Sequence, residues 1–86
     1  MDLDDLIFRY FGTTETSVVP PAAQLAGVER IQVDFALEMD RGKRFALWAL
    51  LHLLGSAPDL DVAFKDEKDQ NAARNFMNLL AATDDE

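Results

Sequence analysis

The sequence predicts an all-α protein, a small orthogonal or up-down bundle of about four helices around a central hydrophobic helix at residues 43–55. Three observations predict it. The run Phe45-Ala46-Leu47-Trp48-Ala49-Leu50-Leu51-His52-Leu53-Leu54 is apolar on every side except for one histidine, so it has to be covered all round. Both ends of the chain repeat apolar residues at helical spacing. A strand anywhere would find partners only in the short stretches Ser17-Val18-Val19 and Leu60-Asp61-Val62, and a lone two-stranded ribbon is marginal in water.

Leu3, Leu6, Ile7, Tyr10 and Phe11 fall at i, i+3, i+4, i+7 and i+8, one face of a first helix over residues 2–11. Asp4 and Asp5 suit its first turn, and Gly12 suits its end. Residues 13–19 are polar and β-branched and bond readily to their own backbone, so they read as a loop. Pro20-Pro21 then opens the next helix, since proline fits a first turn.

Residues 22–39 carry two patterns at once. Leu25, Val28, Ile31, Phe35 and Met39 make a helical stripe, yet residues 31–39 also alternate apolar and polar as a half-buried strand does. The shortage of partner strands decides for a helix over 29–39 as well. Asp40-Arg41-Gly42-Lys43-Arg44 interrupts it, because Gly42 costs about 1 kcal/mol relative to alanine within a helix and Asp40 is a good N-cap for the third helix. That helix stops at Gly55. Leu60, Val62 and Phe64 are expected to be buried from an irregular segment or a single helical turn. Asp66 caps a last helix with Ala72, Ala73, Phe76, Leu79, Leu80 and Thr83 on one face.

Residues 1–86 form one helical domain, with 83–86 expected to fray. A domain of this size buries only about 60–65% of the surface its unfolded chain exposes. Sixteen acids against eight bases give a net charge of -8, which argues against nucleic acid and anionic lipid as direct ligands. Residues 41–64, with two acids and three bases, are the only part that is not acidic. The absence of cysteine removes disulfides, thiolate catalysis and sulfur-ligated zinc. Met1-Asp2-Leu3-Asp4-Asp5 is acidic where an export signal is basic, and the run at 45–54 is far short of a membrane span. A cytoplasmic protein is the expectation.

Wound at 100° per residue, the third helix puts Leu47, Leu50, Leu51 and Leu54 on one side. Arg41, Arg44, Trp48 and His52 form a second stripe. With Lys43 and the helix N-terminus, that stripe is a candidate pocket for a small phosphate or carboxylate. The plainer reading pairs Arg41 or Arg44 with Asp34 and Glu38 and leaves Trp48 in the core.

His52, Ser56, Asp59 and Asp61 nominally supply a base, a nucleophile and an orienting carboxylate. No nucleophile elbow accompanies them, and no catalytic site is assigned. His52 is expected instead as a core or interface residue bonded to a carbonyl or carboxylate, a position that makes stability pH-sensitive near neutrality. His52 with Asp34 and Glu38 would be a two-carboxylate, one-histidine metal set, but the recognised helical metal motifs are absent, so neither a metal site nor a cofactor is expected.

Phe8, Val33, Leu37, Leu47 and Met77 lie off the main faces of their helices, and if they gather they make an interface. The sequence therefore points to a non-catalytic interaction or regulatory module that self-associates, as a homodimer, or binds another protein. Binding of a small anion is the alternative.

Overall fold

The first helix, α1, spans Leu3–Phe11, with Asp4 and Asp5 in its first turn, and gives way at Gly12, whose φ of 73° is the left-handed conformation that glycine tolerates. The computed structural model describes residues 3–84, so Met1, Asp2, Asp85 and Glu86 lie outside the described residues. One 3-10 turn at Thr16–Val18 lies in the loop that follows.

Pro21 starts α2, Pro21–Leu37. Gln24 reaches back from it, and its Nε2 donates to the carbonyls of Thr16 at 2.9 Å and Val19 at 3.2 Å, which pins the loop to the helix. The segment that alternates like a strand is helical through Leu37, whereas Glu38 and Met39, expected within the helix, lie beyond its end, with Glu38 in extended backbone. Asp40 caps α3, Arg41–Leu53, by accepting the Lys43 N–H at 2.9 Å. This helix starts two residues earlier than the sequence suggests, so Gly42 lies inside its first turn and the break falls on residues 38–40. It ends in a Schellman motif: Gly55, at φ 77°, donates to His52 O at 3.0 Å, and the Ser56 N–H donates to Leu51 O at 2.9 Å. Leu60–Ala63 is a single turn, α4. The last helix, α5, runs over Glu67–Asp84, and Asp66 accepts the Lys68 N–H at 2.8 Å at its start. Its backbone is still helical at Thr83 and Asp84, where fraying was expected, and the rest of that tail lies outside the described residues.

The hub is α3, which packs against α1, α2 and α5, while α4 packs on α5. Its leucine side meets the first two helices, with Leu47, Leu50 and Leu51 in one buried cluster with Leu6, Tyr10, Ile31 and Phe35. The other side meets an aromatic group. Trp48, 1% exposed, lies 5.7 Å from Phe64 and 6.0 Å from Phe76 by ring centroids, both edge-on, the arrangement the ring quadrupoles favour. Its Nε1 donates to Pro58 O at 3.4 Å and so holds the α3–α4 connection.

Five residues expected to be buried are exposed: Leu25, Met39, Val62, Ala72 and Leu79. The inward side of α2 centres on Val28, Ile31 and Phe35, which turns Leu25 outward, and Met39 lies past the end of the helix. A one-turn helix hides one side only, so α4 buries Ala63 and leaves Val62 in solvent. The core side of α5 runs through Ala73, Phe76, Met77 and Leu80, which rotates Leu79 away.

The molecule measures 37 × 36 × 21 Å and has a radius of gyration of 13.0 Å, against about 12 Å for a compact chain of this length. It is a flat assembly of five helices, and no strand occurs among the described residues. No helix among them is long and apolar enough to cross a membrane.

Candidate functional site

The five residues of the candidate anion pocket do not converge. Arg44 lies over the ring of Phe35, 4.2 Å from its centroid. Its Nη1 donates to the carbonyls of Phe35 at 2.9 Å and Glu38 at 3.4 Å, and its Nη2 donates to Ala63 O. One guanidinium therefore ties the C-terminal ends of α2 and α4, where the helix dipole favours a cation. Arg41 pairs with Asp69 and, at 3.7 Å, with Asp66, so its acidic partners come from the start of α5 and not from Asp34 or Glu38. The hydrogen bond and charge of Asp69 raise the pKa of Arg41 further. The N-terminus of α3 is filled by the carboxylate of Asp40. Lys43 borders one hollow, beside Arg9, Tyr10 and Leu37, whereas Trp48 and His52 border another, beside Pro58 and Met77.

The hollow beside Lys43, about 350 Å³, lies between α1, α2 and the start of α3. Tyr10 donates its hydroxyl proton to Asp34 Oδ2 there, and the Arg30 guanidinium lies 5.7 Å from the centre of its ring. Burial of the hydroxyl, then the hydrogen bond to Asp34 and the charge of that carboxylate, push the Tyr10 pKa up to about 12. This phenol stays protonated through the ordinary pH range and serves as a link between helices. Asp34, expected beside Arg41 or Arg44, is engaged by α1 instead.

His52 stacks on Trp48, with centroids 5.3 Å apart and planes 12° apart, and meets Phe76 edge-on. Among the described residues neither ring nitrogen has a hydrogen-bond partner, so stacking takes the place of the carbonyl or carboxylate bond suggested by the sequence. Ser56 contributes its backbone N–H to the end of α3, and its side chain makes no hydrogen bond with His52. Asp34, Glu38 and His52 are not brought together, and no group of three potential metal-ligating side chains occurs among the described residues.

The five candidate interface residues divide. Leu47 is 5% exposed, locked between α3 and the first two helices, and Met77 is partly buried against the same core. Both belong to the fold and not to an outer face. Phe8, Val33 and Leu37 are exposed, at 60%, 57% and 72%. Val33 and Leu37 share the outward face of α2 with Ala22, Ala26, Glu29 and Arg30, all exposed.

Those four further residues were not singled out in the sequence. The available signal was small side chains at i and i+4, matched across a charged pair by large ones at the same spacing. A shallow hollow of about 460 Å³ opens on this face where Ala26 leaves space beside Val33, Glu29 and Arg30. Comparison of the chain with protein-family models, with curated proteins and with solved structures gives no match, so the chemistry of this face is read from its own residues.

Proposed function

We propose that this chain is a non-catalytic interaction module that self-associates through its outward apolar surface. The observation that carries the reading is the outward face of α2, where Val33 and Leu37 stand in solvent on a 17-residue helix that already buries Ile31 and Phe35 on its other side. A helix that is apolar on two sides calls for cover on both. The surface area supports the same reading. The chain exposes 5889 Å² at 9.6 kDa, and a compact monomer of that mass exposes about 5,100 Å². The surplus is on the order of the roughly 800 Å² that each partner loses in a standard-size interface.

The basic residues of α3 add support, because Arg41 and Arg44 are engaged in holding helices together and Asp40 already caps the helix N-terminus. Leu37→Asp places a charge on the outward face without touching the core. It is expected to leave the helical content unchanged and to shift the protein toward monomer in light scattering. Unchanged self-association of a folded Leu37→Asp variant contradicts the reading.

A further inference from the structure

Wound at about 100° per residue, α2 sorts its outward face into a centre line and two flanks. Ala26 and Val33 lie within about 10° of the centre line, and Ala22 and Leu37 within about 30°. Glu29 and Arg30 stand about 50° from it on opposite flanks, yet only about 1.5 Å apart along the axis. The Arg30 flank faces α1, since its guanidinium lies 5.7 Å from the centre of the Tyr10 ring.

A two-fold axis can pair this helix with its own copy in two ways, and the flanks tell them apart. An axis perpendicular to the plane of the two helices makes them antiparallel and keeps each flank on its own side. Glu29 then sits beside the partner's Glu29, and Arg30 beside the partner's Arg30. An axis that runs along the helices makes them parallel and sets each flank against the opposite one, so Glu29 meets the partner's Arg30 on both sides of the contact. We infer that two copies of this chain pair through α2 in parallel, with Ala26 and Val33 each against the same residue of the partner subunit and a Glu29–Arg30 pair closing each flank. This pairing rests on the self-association proposed above and specifies its geometry.

Three observations select a second copy as the occupant. Glu29 and Arg30 are both exposed, and among the described residues neither forms an ion pair within its own chain, so the face carries its own complement. The hollow of about 460 Å³ bordered by Ala26, Arg30 and Val33 opens on the flank where the partner's Glu29 arrives. Arg30 is already steadied there over the Tyr10 ring, so it loses less side-chain freedom on meeting an acid. The buried residues Ile31 and Phe35 lie about 150–170° from the centre line, which puts the bodies of the two chains on opposite sides of the contact. Alanine facing alanine at residue 26 lets the helix axes approach to the usual distance of about 8–10 Å. The flanking charges fix orientation more than strength, as exposed ion pairs do.

Introduced thiols read the register directly, because the sequence contains no cysteine. In the parallel pair residue 26 faces residue 26 within disulfide reach, whereas residues 26 and 33 are about 10 Å apart along the axis, too far to bridge. Ala26→Cys alone is expected to cross-link on mild oxidation about tenfold faster than Lys65→Cys, an exposed position off this helix that reports chance collision. A mixture of Ala26→Cys and Val33→Cys is expected to give the two like pairs and no mixed one. Charge exchange gives a second readout. Glu29→Arg sets arginine against arginine on both flanks, Arg30→Glu sets glutamate against glutamate, and each is expected to weaken the dimer about tenfold in sedimentation equilibrium. An equimolar mixture of the two variants restores both attractions and is expected to recover dimerisation to within about threefold of the parent chain.

The parallel pairing is overturned, with self-association left standing, by a dimeric parent chain that gives any of three results. These are a mixed 26–33 cross-link, Ala26→Cys cross-linking no faster than Lys65→Cys, or charge variants that keep the parent's affinity or fail to recover on mixing. A parent chain that stays monomeric at every concentration removes both.

Discussion

At Arg44 a single side chain serves carbonyls from two helix ends, and its planar guanidinium is the only ionisable group shaped for that task. Arg44→Lys keeps the charge but reaches at most one of the two ends. It is expected to cost about 1.5–3 kcal/mol in urea unfolding, the range for hydrogen bonds to charged groups. Tyr10 gives a test through pH. Its folded pKa, about 12, lies above the unfolded value near 10, so its contribution to stability is complete below pH 10 and is lost as pH rises from about 10 toward about 12. As the only tyrosine, it can be followed directly: tyrosinate absorbance in the folded chain should titrate well above pH 10, and Tyr10→Phe should flatten the alkaline fall in Tm. Gly27 presents the opposite kind of constraint. A Cβ there would overlap the Phe11 ring, which lies directly on the α2 backbone. Gly27→Ala gains about 1 kcal/mol of helix propensity and loses about 1–3 kcal/mol to overpacking, so calorimetry should show a net fall in Tm.

Among the elements, α2 shows why the sequence was only partly legible. Its alternating segment reads as a strand because two helical stripes are superimposed: Ile31 and Phe35 point inward four residues apart, and Val33 and Leu37 point outward four residues apart. Interleaved, they produce period two. The ends of α1 and α3 were readable from Gly12, Asp40 and Gly55, where one residue type meets a local backbone demand. The rotation of α5 was not, because Leu79 and Met77 are equally apolar and only the position of Trp48 and Phe76 decides which one turns inward. The fates of Arg41 and Arg44 depended on Asp69 and Ala63, 28 and 19 residues away along the chain, distances at which spacing carries no information. The same distinction between faces separates two aspartate variants. Leu37→Asp should leave thermal unfolding of the monomer nearly unchanged while weakening association. Leu47→Asp buries a carboxylate in the core and should cost at least about 3 kcal/mol, a large part of the roughly 4–13 kcal/mol available to a chain of this length.

The whole molecule is flat, 21 Å through its short dimension, and one central helix is shared by neighbours on both sides. This arrangement buries Leu47 to Leu51 of α3, leaves Leu53 near its end half exposed, and leaves α2 at the periphery with one face in solvent. A chain of 86 residues has too few elements to cover both. In the proposed self-association a second copy would cover the outer face, and the surplus of exposed surface is of the size such a contact removes. The net charge of -8 opposes association at long range, so self-association is expected to strengthen as added salt screens it. Sedimentation equilibrium of the unmodified chain over a wide concentration range tests the central claim most directly. The account predicts a reversible rise in weight-average mass from 9.6 kDa toward twice that value. A single species of 9.6 kDa at every concentration would contradict it.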